Sequence, residues 1–286
     1  SLFDDDPTEI GNYTLLARLG QGGFGTVYLG RSSDGHLAAI KRFHETIALD
    51  RQQFNEEARN LLSVKSEFIP EITNFNSREQ RPWMATEFID GPSLQEIINS
   101  GKKISVKNLM MIARDIAKAL SDLHREDIKH LDIKPGNILL TPDNLYVIDL
   151  GIATMRTVHT AAQDAPIEGS AGFMSPEQAK ADQLTSKTDI FSWASTIYAL
   201  LTGETPFGQF SANPDALFSK NRSEEPNQPD LTSNENWTNQ EKKLLDELLI
   251  PLIKESFAID PQERPDAESI VKSIEEKLLS KDIVAD

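Results

Sequence analysis

The sequence predicts an α+β protein: a five-stranded antiparallel sheet with one helix, followed by a longer, mainly helical part. Three observations carry this. Short β-type runs punctuated by glycine fill Tyr13 to Phe43, apolar residues switch to helical spacing beyond Pro92, and a compact hairpin pattern at Asn137–Ile148 interrupts the helices.

The first strands are read at Tyr13–Leu19, Thr26–Gly30 and Leu37–Lys41. Between the first two lies Gly20-Gln21-Gly22-Gly23-Phe24-Gly25, a G-x-G-x-x-G run. A dinucleotide fingerprint of that form opens into a helix, whereas Thr26-Val27-Tyr28-Leu29 continues as a strand. The run is therefore a hairpin tip, whose backbone N–H groups can close over phosphates where glycine lets the chain approach. Strand alternation puts Lys41 on the side of Ala39, opposite Ile40. A helix from Arg51 to about Val64 follows, with Phe54, Ala58, Leu61 and Leu62 as its apolar stripe. Glu57, with Glu56 as the neighbouring alternative, is placed to turn towards the sheet and pair with Lys41. Strands near Glu71–Phe75 and Pro82–Phe88 complete the five.

Ile89-Asp90-Gly91-Pro92-Ser93 breaks the pattern and marks the domain boundary. Leu109, Ile112, Ala113, Ile116, Ala119, Leu120 and Leu123 then predict a long buried helix ending near Arg125. The hairpin comes next, its runs Asn137–Leu140 and Leu145–Ile148 joined by the turn residues Thr141-Pro142-Asp143-Asn144. It places Asn137 and Asp149 at one edge, a hard-oxygen pair suited to magnesium. Asp132 stands apart as a candidate base. Ile152–Ser170 has no sustained period and reads as a long mobile loop. Ser186–Leu201 is a second core helix, 221–236 a polar surface loop, and Asn239–Leu252 and Asp266–Leu279 two final helices.

Composition bounds the partners. The 286 residues carry 38% hydrophobic and 26% charged side chains, enough for a sizeable core, and contain no cysteine. Disulfides, thiolate metal sites and a cysteine nucleophile are thereby excluded. No apolar run approaches the roughly 18 to 20 residues of a membrane span, and no signal peptide is recognisable. A formal net charge of −16 disfavours nucleic acid and favours basic partners. Asp4-Asp5-Asp6-Pro7 reads as a frayed acidic tail. Ser1, in place of methionine, reads as an expression remnant or the start of an excised domain.

In order, G-Q-G-G-F-G-T-V at 20–27, A-A-I-K at 38–41, H-L-D-I-K-P-G-N at 130–137, D-L-G at 149–151 and S-P-E at 175–177 resemble the eukaryotic-type protein kinase family, specifically its serine/threonine branch in bacteria. The resemblance covers about Tyr13 to Leu279. It implies a bilobal fold with an acidic flexible tail at 1–11, a first lobe at 12–88, a hinge at 89–91, a helical second lobe at 92–280 and a C-terminal tail at 281–286. It implies ATP and Mg2+, with Mn2+ as a substitute, and transfer of phosphate to protein hydroxyls, including the chain's own.

Role by role, the resemblance gives Leu19, Gly20, Gly22, Gly23, Phe24 and Gly25 to the loop over the phosphates, and Lys41, held by Glu57, to the α and β groups. Val27, Ala39 and Leu139 would enclose adenine, Glu87 and Ile89 would meet its edge through the backbone, and Thr86 would sit behind it. Asn137 and Asp149 would hold the metal, Asp132 would accept the hydroxyl proton, and Lys134 would meet the γ-phosphate and mark a serine/threonine acceptor. Ser170 would belong to the substrate-docking loop, Glu177 would pair with Arg264, and Asp189 would accept from the backbone near His130. Thr157 and Thr160, with Thr154, are candidate phosphosites. Leu131 stands where the family commonly has arginine, the usual anchor for a phosphorylated loop, so activity is expected to depend less on such phosphorylation. Leu150 replaces phenylalanine, a mild change. The resemblance further implies protein substrates, no nucleic acid, a cytoplasmic setting, a monomer or weak dimer, and a longer parent protein whose linker, membrane span or sensor would follow Asp286. A nucleotide-binding scaffold without catalysis is the alternative, and a small-molecule phosphotransferase a further one.

Overall fold

The computed structural model describes residues 1–22, 25–44, 51–150, 171–209, 213–232 and 234–280, and only the backbone at 51, 53, 57 and 280. Two compact units divide at Asp90 and Gly91, with the short segment 66–68 belonging to the second.

The first unit is a six-stranded antiparallel sheet in the order β1-β2-β3-β4-β6-β5, formed by β1 (Glu9–Ile10), β2 (Tyr13–Gly22), β3 (Gly25–Ser32), β4 (Leu37–Phe43), β5 (Ile72–Asn76) and β6 (Trp83–Glu87). Alternation separates its two faces. Tyr28, Ile40 and Ala85 are paired across β3, β4 and β6 and join Ile10, Tyr13, Leu15, Ala38 and Trp83 in one apolar cluster. Val27, Lys41 and Met84 are paired on the opposite face, and so are Ala39 and Thr86. Phe43, two residues beyond Lys41, meets Phe54 of helix α1 (Arg51–Ser63) edge-on at 5.6 Å. Helix α1 therefore covers the face that carries Lys41.

The sheet has one strand more than the sequence predicts, and the acidic start is not a frayed tail. Glu9 and Ile10 pair with Thr14 and Tyr13. Asp6, with its side chain 1% exposed, accepts the Arg18 guanidinium, the Tyr28 hydroxyl at 2.8 Å and the Phe3 N–H at 2.9 Å. The Arg18 hydrogen bonds outweigh burial and hold the Asp6 carboxyl well below the usual carboxylate range. A run of three aspartates looks solvated in sequence, but an arginine of β2 twelve residues later draws one of them against the sheet.

In the second unit, α3 (Val106–Arg125) and α5 (Ser186–Thr202) form the centre, with α2 (Leu94–Asn99) and α4 (Pro176–Lys180) before each. Helix α5 is buried almost all round, its Ser195 and Thr196 hydroxyls donating to carbonyls one turn back, and the Trp193 indole N–H donates to the Ala113 carbonyl of α3 at 2.9 Å. Helices α6 (Pro214–Ser223), α7 (Asn239–Leu248), α8 (Ile250–Ser256) and α9 (Ala267–Ser280) complete the described helices of this unit. The hairpin joins β7 (Ile138–Leu140) to β8 (Leu145–Val147), and Val147 N–H donates to the Phe68 carbonyl at 2.8 Å, which draws segment 66–68 into this unit.

Two expectations are corrected here. The single helix expected at 239–252 is two, because Pro251 has no N–H and its ring clashes with the carbonyl four residues earlier. The stretch 221–236 is not simply a surface loop: it opens inside α6, where Asn221 is buried, and Leu231 is buried further on. Among the described residues no helix is long and apolar enough to cross a membrane.

Candidate active site

In the first unit the glycine-rich run forms the end of the β2–β3 hairpin, with Gln21 opposite Thr26 and Gly22 opposite Gly25. Gly23 and Phe24 lie outside the described residues. The glycines differ in their reason for being glycine. A Cβ on Gly25 would lie 2.3 Å from the Arg42 carbonyl oxygen, so packing against β4 requires its absence. A Cβ on Gly20 or Gly22 would meet nothing within 4 Å among the described residues. The chain's own packing does not explain those two. Leu19 beside them is 47% exposed.

Lys41 Nζ lies 5.7 Å from the centre of the Phe43 ring, on the face covered by α1. The side chain of Glu57 lies outside the described residues. The alternative, Glu56, is exposed and accepts from Gln52 one turn earlier on its own helix at 3.1 Å. On β6 and after it, Thr86 is half-buried, Ile89 is buried, and Glu87 has committed its N–H to the Glu71 carbonyl at 2.8 Å.

In the second unit the segment from His130 to Asn137 is held from three directions. Asp189, fully buried near the start of α5, accepts the backbone N–H of His130 at 2.9 Å and of Leu131 at 2.7 Å. Its remaining contact is His124 Nε2 at 2.8 Å. Burial pushes the Asp189 carboxyl up, but the His124 hydrogen bond and charge and the Leu131 N–H outweigh it, leaving the group below its ordinary 3.8. His130 bridges onward. Its Nδ1 accepts the Asp132 N–H at 3.2 Å, which makes Nε2 the protonated nitrogen that donates to the Ile148 carbonyl at 3.0 Å.

The Asp132 carboxylate, 5% exposed as a residue, receives Lys134 Nζ at 3.0 Å and Asn137 Nδ2 at 2.9 Å. Asn137 Nδ2 also donates to the Asp132 carbonyl at 2.8 Å, so the amide nitrogen is fixed on Asp132 and Oδ1 is the end turned elsewhere. Asn137 stands immediately before β7 and Asp149 two residues after β8, and the Ile148 N–H donates to the Asn137 carbonyl at 2.9 Å. The hairpin thus brings both to one end. Asp149 has φ 59° and Leu131 φ 60°, left-handed values that non-glycine residues adopt where the surroundings impose them. Leu139, on β7, bridges to Ser93.

Further along, Glu177 and Arg264 form a buried two-point pair at 2.6 and 2.9 Å. Burial raises the Glu177 carboxyl, but the Arg264 hydrogen bonds and charge prevail and hold it below its ordinary 4.5. Arg264 also donates to the carbonyls of Ala258 at 2.8 Å and Lys187 at 3.0 Å. Asn221 Nδ2 donates to the carbonyls of Ala171 and Met174, fixing the segment just before α4. Ser170, Thr154, Thr157 and Thr160 lie outside the described residues.

Sequence reading missed His124, Asn221 and Gln178. Each acts over 47 or more residues of chain, and none belongs to a local run that would flag it.

The second unit thus carries an oxygen donor pair at a hairpin end and a buried carboxylate flanked by a lysine, and the first unit carries a strand lysine and a glycine hairpin; these are group types that phosphoryl transfer employs. A sequence model of the protein kinase domain matches residues 13–274, and the chain belongs to that family. Its relatives include the serine/threonine-protein kinase AfsK of Streptomyces griseus, 36% identical over 74% of this chain and 27% of that protein. The probable serine/threonine-protein kinase PkwA of Thermomonospora curvata is 33% identical over 71% of this chain and 28% of its own length. The serine/threonine-protein kinase PknB of Mycobacterium tuberculosis is 31% identical over 68% of this chain and 33% of that protein. The chain thus spans about a quarter to a third of the length of the curated relatives it matches. The family uses ATP and a divalent metal.

Proposed function

We propose that the chain transfers the γ-phosphoryl group of ATP to serine and threonine hydroxyls of proteins, its own included. The observation that carries this is Asp132, buried, charge-compensated by Lys134 and oriented by Asn137. Asp132 accepts the hydroxyl proton as that oxygen bonds to the γ-phosphorus and the bond to the β–γ bridging oxygen breaks, leaving ADP. Lys134 Nζ stands next to the same carboxylate and meets the γ-phosphate. Little covalent chemistry falls to the protein, so holding these groups in line is most of its task.

Asn137 Oδ1 and the Asp149 carboxylate would hold the metal. An amide oxygen and a carboxylate suit a hard ion that would complete its shell with phosphate oxygens and water, as Mg2+ does. Mn2+, with similar ligand preferences, is expected to substitute. When bound there, the ion would neutralise charge on the phosphates. Lys41, with Glu57 as the preferred partner because Glu56 is occupied on its own helix, would engage the α- and β-phosphates. The lack of a described neighbour that would clash with a Cβ on Gly20 or Gly22 supports their use for close approach to phosphate. Gly23, Phe24, Gly25, Leu19, Val27, Ala39, Thr86 and Leu139 would complete the nucleotide contacts, with Ile89 and the Glu87 carbonyl meeting the base edge.

Leu131 is buried and apolar, so it lacks the charge that would anchor a phosphorylated loop, and transfer should depend less on phosphate at Thr157 or Thr160. Protein substrates, a cytoplasmic setting and a monomer or weak dimer are part of the proposal.

Lys41→Met tests the nucleotide side. It removes the cation without removing the apolar stem, so the fold should persist while transfer falls roughly 100-fold or more. The readout is phosphate incorporated from labelled ATP with Mg2+ or Mn2+, alongside circular dichroism. Unchanged transfer by a folded Lys41→Met variant would contradict the assignment.

A further inference from the structure

Gln178 occupies the third position of α4, and its carboxamide joins two distant segments. Oε1 accepts the Ser175 N–H at 3.1 Å, while Ser175 Oγ accepts the Gln178 N–H at 3.3 Å, closing a capping box at the helix start. Nε2 donates to the Leu131 carbonyl at 3.0 Å. Gln178 is only 8% exposed, so the bond is made away from water.

The acceptor is what gives this bond its significance. The Leu131 carbonyl belongs to the peptide group that contains the Asp132 N–H, and that N–H is held by His130 Nδ1 at 3.2 Å. Leu131 itself is in the left-handed region, with its own N–H held by Asp189 at 2.7 Å. Three side chains therefore fix one strained residue and the peptide leading into Asp132. A capping box needs only an acceptor at this helix position, and glutamate would serve it equally. The amide N–H directed at Leu131 is what glutamine adds.

We propose that Gln178 is a positioning residue for phosphoryl transfer: its Nε2 fixes the Leu131–Asp132 peptide, and so the direction of the Asp132 carboxylate, and links it to the segment leading into α4. This rests on reading Asp132 as the proton acceptor.

The test compares Gln178→Met, Gln178→Glu and Asp132→Asn in steady-state transfer to a protein acceptor, across a range of pH, with thermal unfolding of each. Gln178→Met should lower kcat roughly tenfold or more with KM for ATP unchanged, since misdirecting a catalytic group affects the transition state rather than nucleotide binding. Gln178→Glu keeps the cap and, with its carboxyl protonated, should melt near the unsubstituted chain. Its kcat relative to that chain should approach parity when the new carboxyl is protonated and able to donate to Leu131, and fall as the carboxyl ionises. A purely capping role predicts a pH-independent ratio for Gln178→Glu and a loss in Gln178→Met that follows melting temperature. That pattern, or a folded Gln178→Met within about twofold of the unsubstituted kcat, overturns the proposal. Full transfer by Asp132→Asn overturns instead the reading of Asp132 on which it rests.

Discussion

Asp132→Asn is expected to lower kcat for phosphoryl transfer by about 100- to 10,000-fold, the usual range for removing a general base. The substitution is nearly isosteric. Its amide oxygen can still accept from Lys134 Nζ and Asn137 Nδ2, which now sit 3.0 and 2.9 Å from Oδ2. The Leu131 and His130 N–H bonds to Asp189 do not involve the side chain at all. Loop geometry and ATP affinity should therefore survive while proton acceptance is lost. Single-turnover transfer together with ATP binding by calorimetry separates the two, and a variant that binds ATP weakly but transfers normally would contradict the assignment.

The second large effect concerns stability. Arg264→Ala is expected to destabilise the second unit by roughly 3 to 5 kcal/mol, because it leaves the Glu177 carboxylate buried without its counter-charge. The carbonyls of Ala258 and Lys187 lose their donor as well. Denaturant unfolding measures this, and a loss below about 1 kcal/mol would show that water enters to replace the guanidinium. The same carboxylates set an acid limit. Glu177 and Asp189 are held below their ordinary 4.5 and 3.8 in the folded chain, so the unfolded chain takes up protons first as pH falls. Their contribution is complete above those ordinary values and is lost progressively as pH drops through the lowered ones. Arg264→Ala removes what lowers Glu177, so burial then raises that carboxyl and the stability lost on substitution should shrink as pH falls and the carboxyl is protonated.

Much of this was legible in the sequence because it is local. Glycine-punctuated runs with period two mark β2, β3 and β4, and the placement of Lys41 beside Ala39 follows from strand alternation alone. Asn137 and Asp149 flank a hairpin short enough for its turn residues to announce. What sequence reading missed was made by distance. Asp6 reads as one more solvated acid until Arg18 and Tyr28 fold over it. Asn221 falls in a polar, proline-containing stretch, and only the folded chain shows its amide clasping the carbonyls of Ala171 and Met174. Gln178 follows the S-P-E run without altering it, so nothing nearby indicates that its amide reaches Leu131. Pro251 was a different kind of miss: the apolar spacing across 239–252 concealed a break that the missing N–H enforces.

The central claim is that the Asp132 site transfers phosphate from ATP to serine and threonine. The most direct measurement is phosphoamino-acid analysis of the chain and a generic basic protein after incubation with labelled ATP and Mg2+. The account predicts label on serine and threonine, abolished in Asp132→Asn. Label on tyrosine, or none at all from a folded chain that binds ATP, would contradict it.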